Sequence, residues 1–284
     1  MASSLPAYSG YKHFQTTSPA PWIAHVQINR PQKLNSFHEE MWLELRSLFN
    51  ALSTDSSIRS VVLSGAGDRA FSAGLDVVAA STTETLQGGK GADVARRAAG
   101  IRRHILEFQE CISAIEKCEK PVICVLHGIS YGLAVDIACA CDVRIVARGA
   151  RLAVKEVDIG LAADIGSLSR LPKCVGSMSW VKEVCLSARE FGAEEAERVG
   201  FVSRVVEDKE KGIEEAVKLA GLIATKSPVA VQGTKEILNH ARDHPVEDSL
   251  RYTAIWNSAN LQTDDIKAAL FSTMKKTKPE FAKL

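Results

Sequence analysis

The chain has 284 residues, 46% of them hydrophobic and 24% charged, with a formal net charge of +1. This suits a soluble globular protein built as one large domain, or as a core with a smaller appendage. Balanced charge offers no footprint for nucleic acid and no basic face for a membrane, and no apolar run is long enough to span a bilayer.

Taken in chain order, residues 22–28 alternate in part and end in Asn29-Arg30-Pro31, which predicts a strand and a turn. Ser36 opens a helix over 39–52, with Met41, Leu45, Leu48 and Phe49 on one face. Residues 60–64 form a second strand, broken by Gly65-Ala66-Gly67-Asp68. The stretch 81–95, with Gly88, Gly89 and Gly91, reads as a loop. A helix over 94–116 follows, then a buried strand over 121–126, a short apolar helix over 132–141 and a strand over 142–146. From Gly212 onward the pattern is helical, with Lys226-Ser227-Pro228 dividing two helices and further helices over 246–261 and 264–276. The expected organisation is an α/β core over 1–210 and a helical region over 211–284.

Seven cysteines stand at 111, 118, 124, 139, 141, 174 and 185, several within apolar runs and none in a C-x-x-C pair. They read as reduced, buried thiols of an intracellular protein. Cys139 and Cys141 lack further His or Cys ligands at zinc-like spacing, so no metal site is expected.

Three small-residue turns invite a chemical reading. Gly65-Ala66-Gly67-Asp68-Arg69-Ala70 fits a dinucleotide fingerprint, but no long helix starts after it, so the match is discounted. Phe71-Ser72-Ala73-Gly74-Leu75-Asp76 and His127-Gly128-Ile129-Ser130-Tyr131-Gly132-Leu133-Ala134 could each aim a backbone N–H at one point. Two converging N–H groups make an oxyanion hole, and the second turn adds a helix N-terminus. Two ordinary strand-to-helix turns would look the same. Asp136 lies in an otherwise apolar helical run, and Asp164 stands among small and apolar residues after Glu156. A carboxylate placed in such surroundings takes a partner, shifts its pKa or does chemistry.

In order and spacing, Asn29-Arg30-Pro31 to Asn35-Ser36, Ala70-Phe71-Ser72-Ala73-Gly74-Leu75-Asp76, Lys120-Pro121-Val122 to Gly128 and Cys141-Asp142-Val143-Arg144 resemble the crotonase (enoyl-CoA hydratase/isomerase) superfamily. Val154–Gly166, Arg170-Leu171-Pro172-Lys173 and Ser249-Leu250-Arg251-Tyr252 are most similar to its dienoyl-CoA isomerase branch. The resemblance implies a spiral of ββα repeats with a C-terminal helical trimerisation region, and a homotrimer or hexamer. It implies catalytic acids at Asp136, Glu156 and Asp164, oxyanion N–H groups at Leu75 and Leu133, and substrate contacts at Ala73, Gly74, Asp76, Gly132 and Ala134. The implied reaction converts a 3,5-dienoyl-CoA to a 2,4-dienoyl-CoA by moving a proton between C2 and C6. Glu156 would act at C2 and Asp164 at C6, although the two roles could be exchanged. CoA would enter as part of the substrate and no separate cofactor is implied. Many relatives carry a run of glycines where this chain reads Gly132-Leu133-Ala134, which bears on pocket shape more than on chemistry. An enoyl-CoA hydratase using Asp136 and Glu156, a Δ3,Δ2-enoyl-CoA isomerase and a non-catalytic acyl-CoA-binding paralogue are the alternatives. The chain ends in Ala282-Lys283-Leu284, which resembles the Ser-Lys-Leu peroxisomal address, so import by the peroxisomal receptor is expected.

Overall fold

The computed structural model describes residues 3–81 and 93–284. The loop expected over 81–95 falls largely on residues outside that range. Strands β1 (Ser3–Ser4), β2 (Phe14–Ser18) and β3 (Ile23–Ile28) lead into helix α1 (Glu39–Thr54). Then come β4 (Ser60–Gly65), β5 (Ala70–Ser72), α2 (Val77–Ser81) and α3 (Val94–Lys117). Next are β6 (Val122–Leu126), β7 (Ile129–Tyr131) and α4 (Leu133–Ala140). They are followed by β8 (Val143–Ala147), β9 (Arg151–Ala153), a 3-10 turn over Glu156–Ile159 and α5 (Ser167–Cys174). Helix α6 (Met178–Ser187), β10 (Phe191–Gly192), α7 (Ala193–Arg198) and β11 (Arg204–Val206) complete the two sheets. Four helices close the chain: α8 (Lys209–Ala224), α9 (Pro228–Asp243), α10 (Val246–Asn260) and α11 (Asp264–Lys275).

The larger sheet runs β1-β2-β3-β4-β6-β8-β11 and the smaller β10-β9-β7-β5. From β3 to β11 the larger sheet is parallel, and β5, β7 and β9 are parallel in the smaller one. Three times the chain makes a strand of the large sheet, turns, makes a strand of the small sheet and then enters a helix. This is the ββα spiral that the motifs imply. The small-sheet strands β5, β7 and β9 are three residues long, too short for alternation to reveal, so the sequence reads them as turns.

Strands β4 and β6 are buried along their whole length, which is why they are nearly unbroken apolar runs. Between the sheets lies one large core, to which α1 contributes Met41, Leu45, Leu48, Phe49 and Leu52. The outer face of the large sheet, with Ile23, Val62, Ile123, Val125 and Ile145, is covered by Ala216 and Ala220 of α8. Gly212, Ala216, Ala220 and Ala224 recur every four residues and are all buried, so one small-residue stripe lets α8 lie close on the strands. Helix α8 therefore starts before the boundary expected at 210 and forms a layer on the sheet, while α9 to α11 extend beyond it. The glycine fingerprint at 65–70 is a strand crossover. A Cβ on Gly65 would stand 2.5 Å from the Phe71 carbonyl oxygen, and β5 rather than a helix follows.

Candidate active site

The two small-residue turns meet. Gly74 has φ +90, and a Cβ built there would lie 2.7 Å from the Tyr131 carbonyl oxygen and 3.5 Å from the Leu133 nitrogen. Gly132 has φ +54 and its virtual Cβ would lie 3.3 Å from Glu156 Oε1. Both positions require glycine, one for close approach and both for left-handed backbone. The first turn is fixed by a bridge to α1's leading residues: Phe37 N–H donates to the Gly74 carbonyl and Asp76 N–H to the Phe37 carbonyl, both at 2.8 Å. Ala73 N–H donates to Leu34 O at 2.9 Å and Gly74 N–H to Ser72 Oγ at 3.1 Å. Gly132 N–H goes to Ala153 O at 2.9 Å. Among the described residues, neither Leu75 N–H nor Leu133 N–H has an acceptor. Two free donors thus sit side by side, the second at the positive end of α4.

The residues implied as substrate contacts divide by what holds them. Asp76 is committed elsewhere: it pairs with Arg30 Nη1 at 2.8 Å and accepts from Ala79 N–H at 3.2 Å. Those bonds hold its carboxylate below the usual range, Arg30 foremost. Ala134 is fully buried in the core. Gly74 and Gly132 shape the hole, and Ala73 is half-buried at its edge.

All three implied acids belong to one electrostatic cluster. Asp136, on α4, is 1% exposed and its Oδ1 accepts from both the N–H (2.5 Å) and the hydroxyl (2.7 Å) of Ser167. Burial pushes its carboxyl up to about 6 against the pull of those bonds and of Arg170, while the Asp164 charge pushes the same way. Glu156 opens the 3-10 turn after β9. Its Oε2 is buried without a hydrogen-bond partner. Burial, then the charges of Asp136 and Asp164, push it up to about 7. Asp164 lies at an exposed rim, and the surrounding protein still raises its carboxyl, with the His104 charge opposing. It borders a pocket of about 490 Å³ that also includes Gln109, Ser169 and Arg170. A second cavity, about 650 Å³, lies at the opposite end of α4 and contains none of these acids.

Such an arrangement can stabilise an enolate oxygen at two N–H donors while a carboxylate of near-neutral pKa removes the adjacent proton. Ser167, fully buried and dedicated to Asp136, was not singled out in the sequence, and Arg170, whose charge bears on Asp136, entered only as part of a motif with no role given. The available clue was the buried acid itself, which demands a donor, and Ser167 stands at the start of a helix where a hydroxyl and a free N–H coincide.

Residues 20–283 match the family model described as enoyl-CoA hydratase/isomerase. The chain belongs to that family. It is 46% identical over 263 residues to the mitochondrial Delta(3,5)-Delta(2,4)-dienoyl-CoA isomerase of Homo sapiens, covering 93% of this chain and 79% of the relative. It is 40% identical over 262 residues to the peroxisomal Delta(3,5)-Delta(2,4)-dienoyl-CoA isomerase of Arabidopsis thaliana, covering 92% and 93%. A crystal structure of enoyl-CoA hydratase from Bacillus anthracis superposes with a TM-score of 0.85 at 25% identity, over 95% of this chain and 99% of that one.

Elsewhere among the described residues, one group offers metal-ligand atoms: His13, His38 and Glu40 bring theirs within 4.8 Å. The Lys12 ammonium already occupies Glu40 at 3.2 Å, and the Arg30 charge bears on His38, so cations compete for that position. All seven cysteines are free; six are buried and Cys174 is half-buried.

Proposed function

We propose that this protein is a Δ3,5-Δ2,4-dienoyl-CoA isomerase of fatty-acid β-oxidation. The observation that carries the reading is a third acid, Asp164, in the same electrostatic cluster as Glu156 and Asp136, at the end of the site that a C6 proton transfer would need. The names of the human and Arabidopsis relatives support it. The thioester oxygen is received by Leu75 N–H and Leu133 N–H. Glu156 takes the C2 proton: its Oε1 lies beside Gly132, next to the N–H that receives the thioester oxygen, and C2 adjoins the thioester carbonyl carbon. Charge spreads along the diene, and Asp164 delivers a proton at C6. Asp136, held by Ser167, tunes Glu156 through its charge. These proton transfers need no redox group, and CoA arrives with the substrate.

An enoyl-CoA hydratase would pair Asp136 with Glu156 around a water. Ser167 already occupies Asp136 Oδ1 with two donors, and that reading leaves Asp164 without work. Incubation with a 3,5-dienoyl-CoA should produce the conjugated-diene absorbance of the 2,4-isomer. A parallel assay on a 2-enoyl-CoA should show little hydration. Strong hydration with no diene shift would replace this reading by the hydratase.

Assembly as a homotrimer, or a pair of trimers, is part of the same proposal. It is supported by apolar side chains exposed on the closing helices, Leu250 at 65%, Ile255 at 64% and Leu270 at 63%. Delivery to peroxisomes through Ala282-Lys283-Leu284 is proposed as well. The Arabidopsis relative is named peroxisomal and the human one mitochondrial. A tagged chain lacking the tripeptide should become cytosolic.

A further inference from the structure

Helix α4 ends in chemistry that the isomerase does not use. Its first residue offers the Leu133 N–H, its middle carries Asp136, and one turn further on Cys139 faces Cys174, the last residue of α5. Cys139 and Cys174 line one cavity, and each thiol bears electrostatically on the other. Cys124 bears electrostatically on Cys141, and the half-buried Arg144 guanidinium bears on all four sulfurs. Arg144 is itself anchored, donating to the carbonyls of Ala138, Cys141 and Phe201. A positive charge bearing on four thiols opposes a metal ion and favours a thiolate.

Access separates the two pairs. The cavity of about 650 Å³ is lined by Cys139, Cys141 and Cys174, with Arg144, Lys173 and Arg242 around it. Cys174 alone among the cysteines is half-buried; Cys124 is 0% and Cys141 4% exposed. The neighbouring Cys139 thiol, with the Arg144 and Arg242 charges, holds the Cys174 thiol below the usual range although burial opposes it. A small neutral oxidant entering this cavity meets Cys174 first, with Cys139 on the wall of the same cavity to resolve it.

We propose that Cys174 and Cys139 form a peroxide-sensitive thiol pair whose disulfide ties the Asp136-bearing helix to the Ser167-bearing helix. The Cys174 thiolate attacks hydrogen peroxide: an S–O bond forms, the O–O bond breaks, hydroxide leaves, and sulfur is oxidised by two electrons to the sulfenic acid. The Cys139 sulfur then attacks the sulfenic sulfur. The S–S bond forms, the S–O bond breaks, and the departing hydroxide takes the Cys139 proton as water. Overall, two thiols and one peroxide give one disulfide and two waters. A small thiol reductant reverses it by exchange. The Asp136–Ser167 bonds already join the same two helices, so pulling Cys139 and Cys174 to covalent distance acts on the carboxylate that tunes Glu156.

The intact protein is treated with hydrogen peroxide, digested without reductant, and its thiols are mapped by mass spectrometry. The expected product is a peptide pair joining Cys139 to Cys174, short of two hydrogens. In Cys139→Ser the product should instead be a sulfenic acid on Cys174, trapped by a cyclic dione. Cys174→Ser should form neither and should keep its basal turnover under peroxide. The activity readout rests on the isomerase reading: oxidation should lower turnover at least about tenfold, because displacements on the order of 1 Å at a reacting site cost about a hundredfold. Dithiothreitol should restore it. Peroxide that leaves both thiols free, or that modifies Cys124 or Cys141 instead, overturns the proposal. A Cys139–Cys174 disulfide with undiminished turnover overturns the tie between the pair and the site. A protein inactive on dienoyl-CoA before oxidation counts against the isomerase reading, while the mapped disulfide still decides the thiol pair.

Discussion

At the residue scale, Glu156 carries the most testable chemistry. Its Oε2 is buried and has no hydrogen-bond partner among the described residues, and its carboxyl is raised from 4.5 to about 7. As the base for C2 it must be ionised, so kcat/KM should rise with pH and level off above about pH 7. A flat profile from pH 5.5 upward, well below that pKa, would remove it as the base. The same shift has a stability sign. A carboxyl whose folded pKa lies above its unfolded value stabilises the fold only while protonated, and this contribution is lost as pH rises from about 4.5 through about 7. Glu156→Gln should therefore raise the unfolding temperature at pH 8, by an amount corresponding to on the order of 2 kcal/mol after allowance for its partial exposure. Turnover should fall by about a hundredfold or more in both Glu156→Gln and Asp164→Asn. Solvent deuterium separates the roles: Asp164→Asn should still exchange the C2 proton and Glu156→Gln should not. The reverse pattern would exchange the assignments. Ser167→Ala removes one of two donors to Asp136, which should push that carboxyl higher still and cost about 1–3 kcal/mol of stability. Its pH profile should move, which loss of packing alone would not cause.

At the element scale, the site depends on how closely two turns approach. Gly74→Ala places a methyl 2.7 Å from the Tyr131 carbonyl at φ +90. Strain of about 1–3 kcal/mol should appear as a lower unfolding temperature, and the splayed donors should lower kcat more than they raise KM. Helix α8 tests a different contact. Ala216 is fully buried against the large sheet, so Ala216→Leu should cost about 1–3 kcal/mol by overpacking. Because α8 touches none of the acids, kcat of the folded fraction should be unchanged. Urea titration followed by circular dichroism measures the first effect and turnover the second.

At the scale of the whole molecule, α9 to α11 carry large exposed apolar side chains, among them Leu238, Val246, Leu250, Ile255, Leu261 and Met274. On the trimer proposal, these side chains form its contact surface. Light scattering at micromolar concentration should give three or six chain masses, and Leu250→Glu with Ile255→Glu should shift it toward the monomer. A wild-type monomer mass would remove the assembly proposal. The C-terminal segment is also placed: Arg59 donates to the carbonyls of Phe281 (2.7 Å) and Ala282 (3.2 Å), and Lys283 stands over the Trp22 ring at 5.5 Å.

The sequence alone determined the elements whose signal is local. The helices from α8 onward, the buried strands β4 and β6 and the apolar helix α4 were legible because their periodicity or unbroken apolarity runs over several residues. The isolation of Asp136 among apolar neighbours was legible for the same reason, and the order of the motifs gave the family. Three things were decided only by the tertiary structure. The small sheet was invisible because three-residue strands carry no period, so β5 and β7 read as parts of turns. The closeness of Gly74 to Leu133, and of Ser167 to Asp136, joins segments 59 and 31 residues apart, and no local pattern encodes such distances. The cysteines show the same limit. Cys139 and Cys141 had no further ligand at zinc-like spacing, and the packing of α5 against α4 is what sets Cys139 and Cys174 on one cavity. Sequence reports what each segment must bury; which buried groups then touch is set by how the layers close.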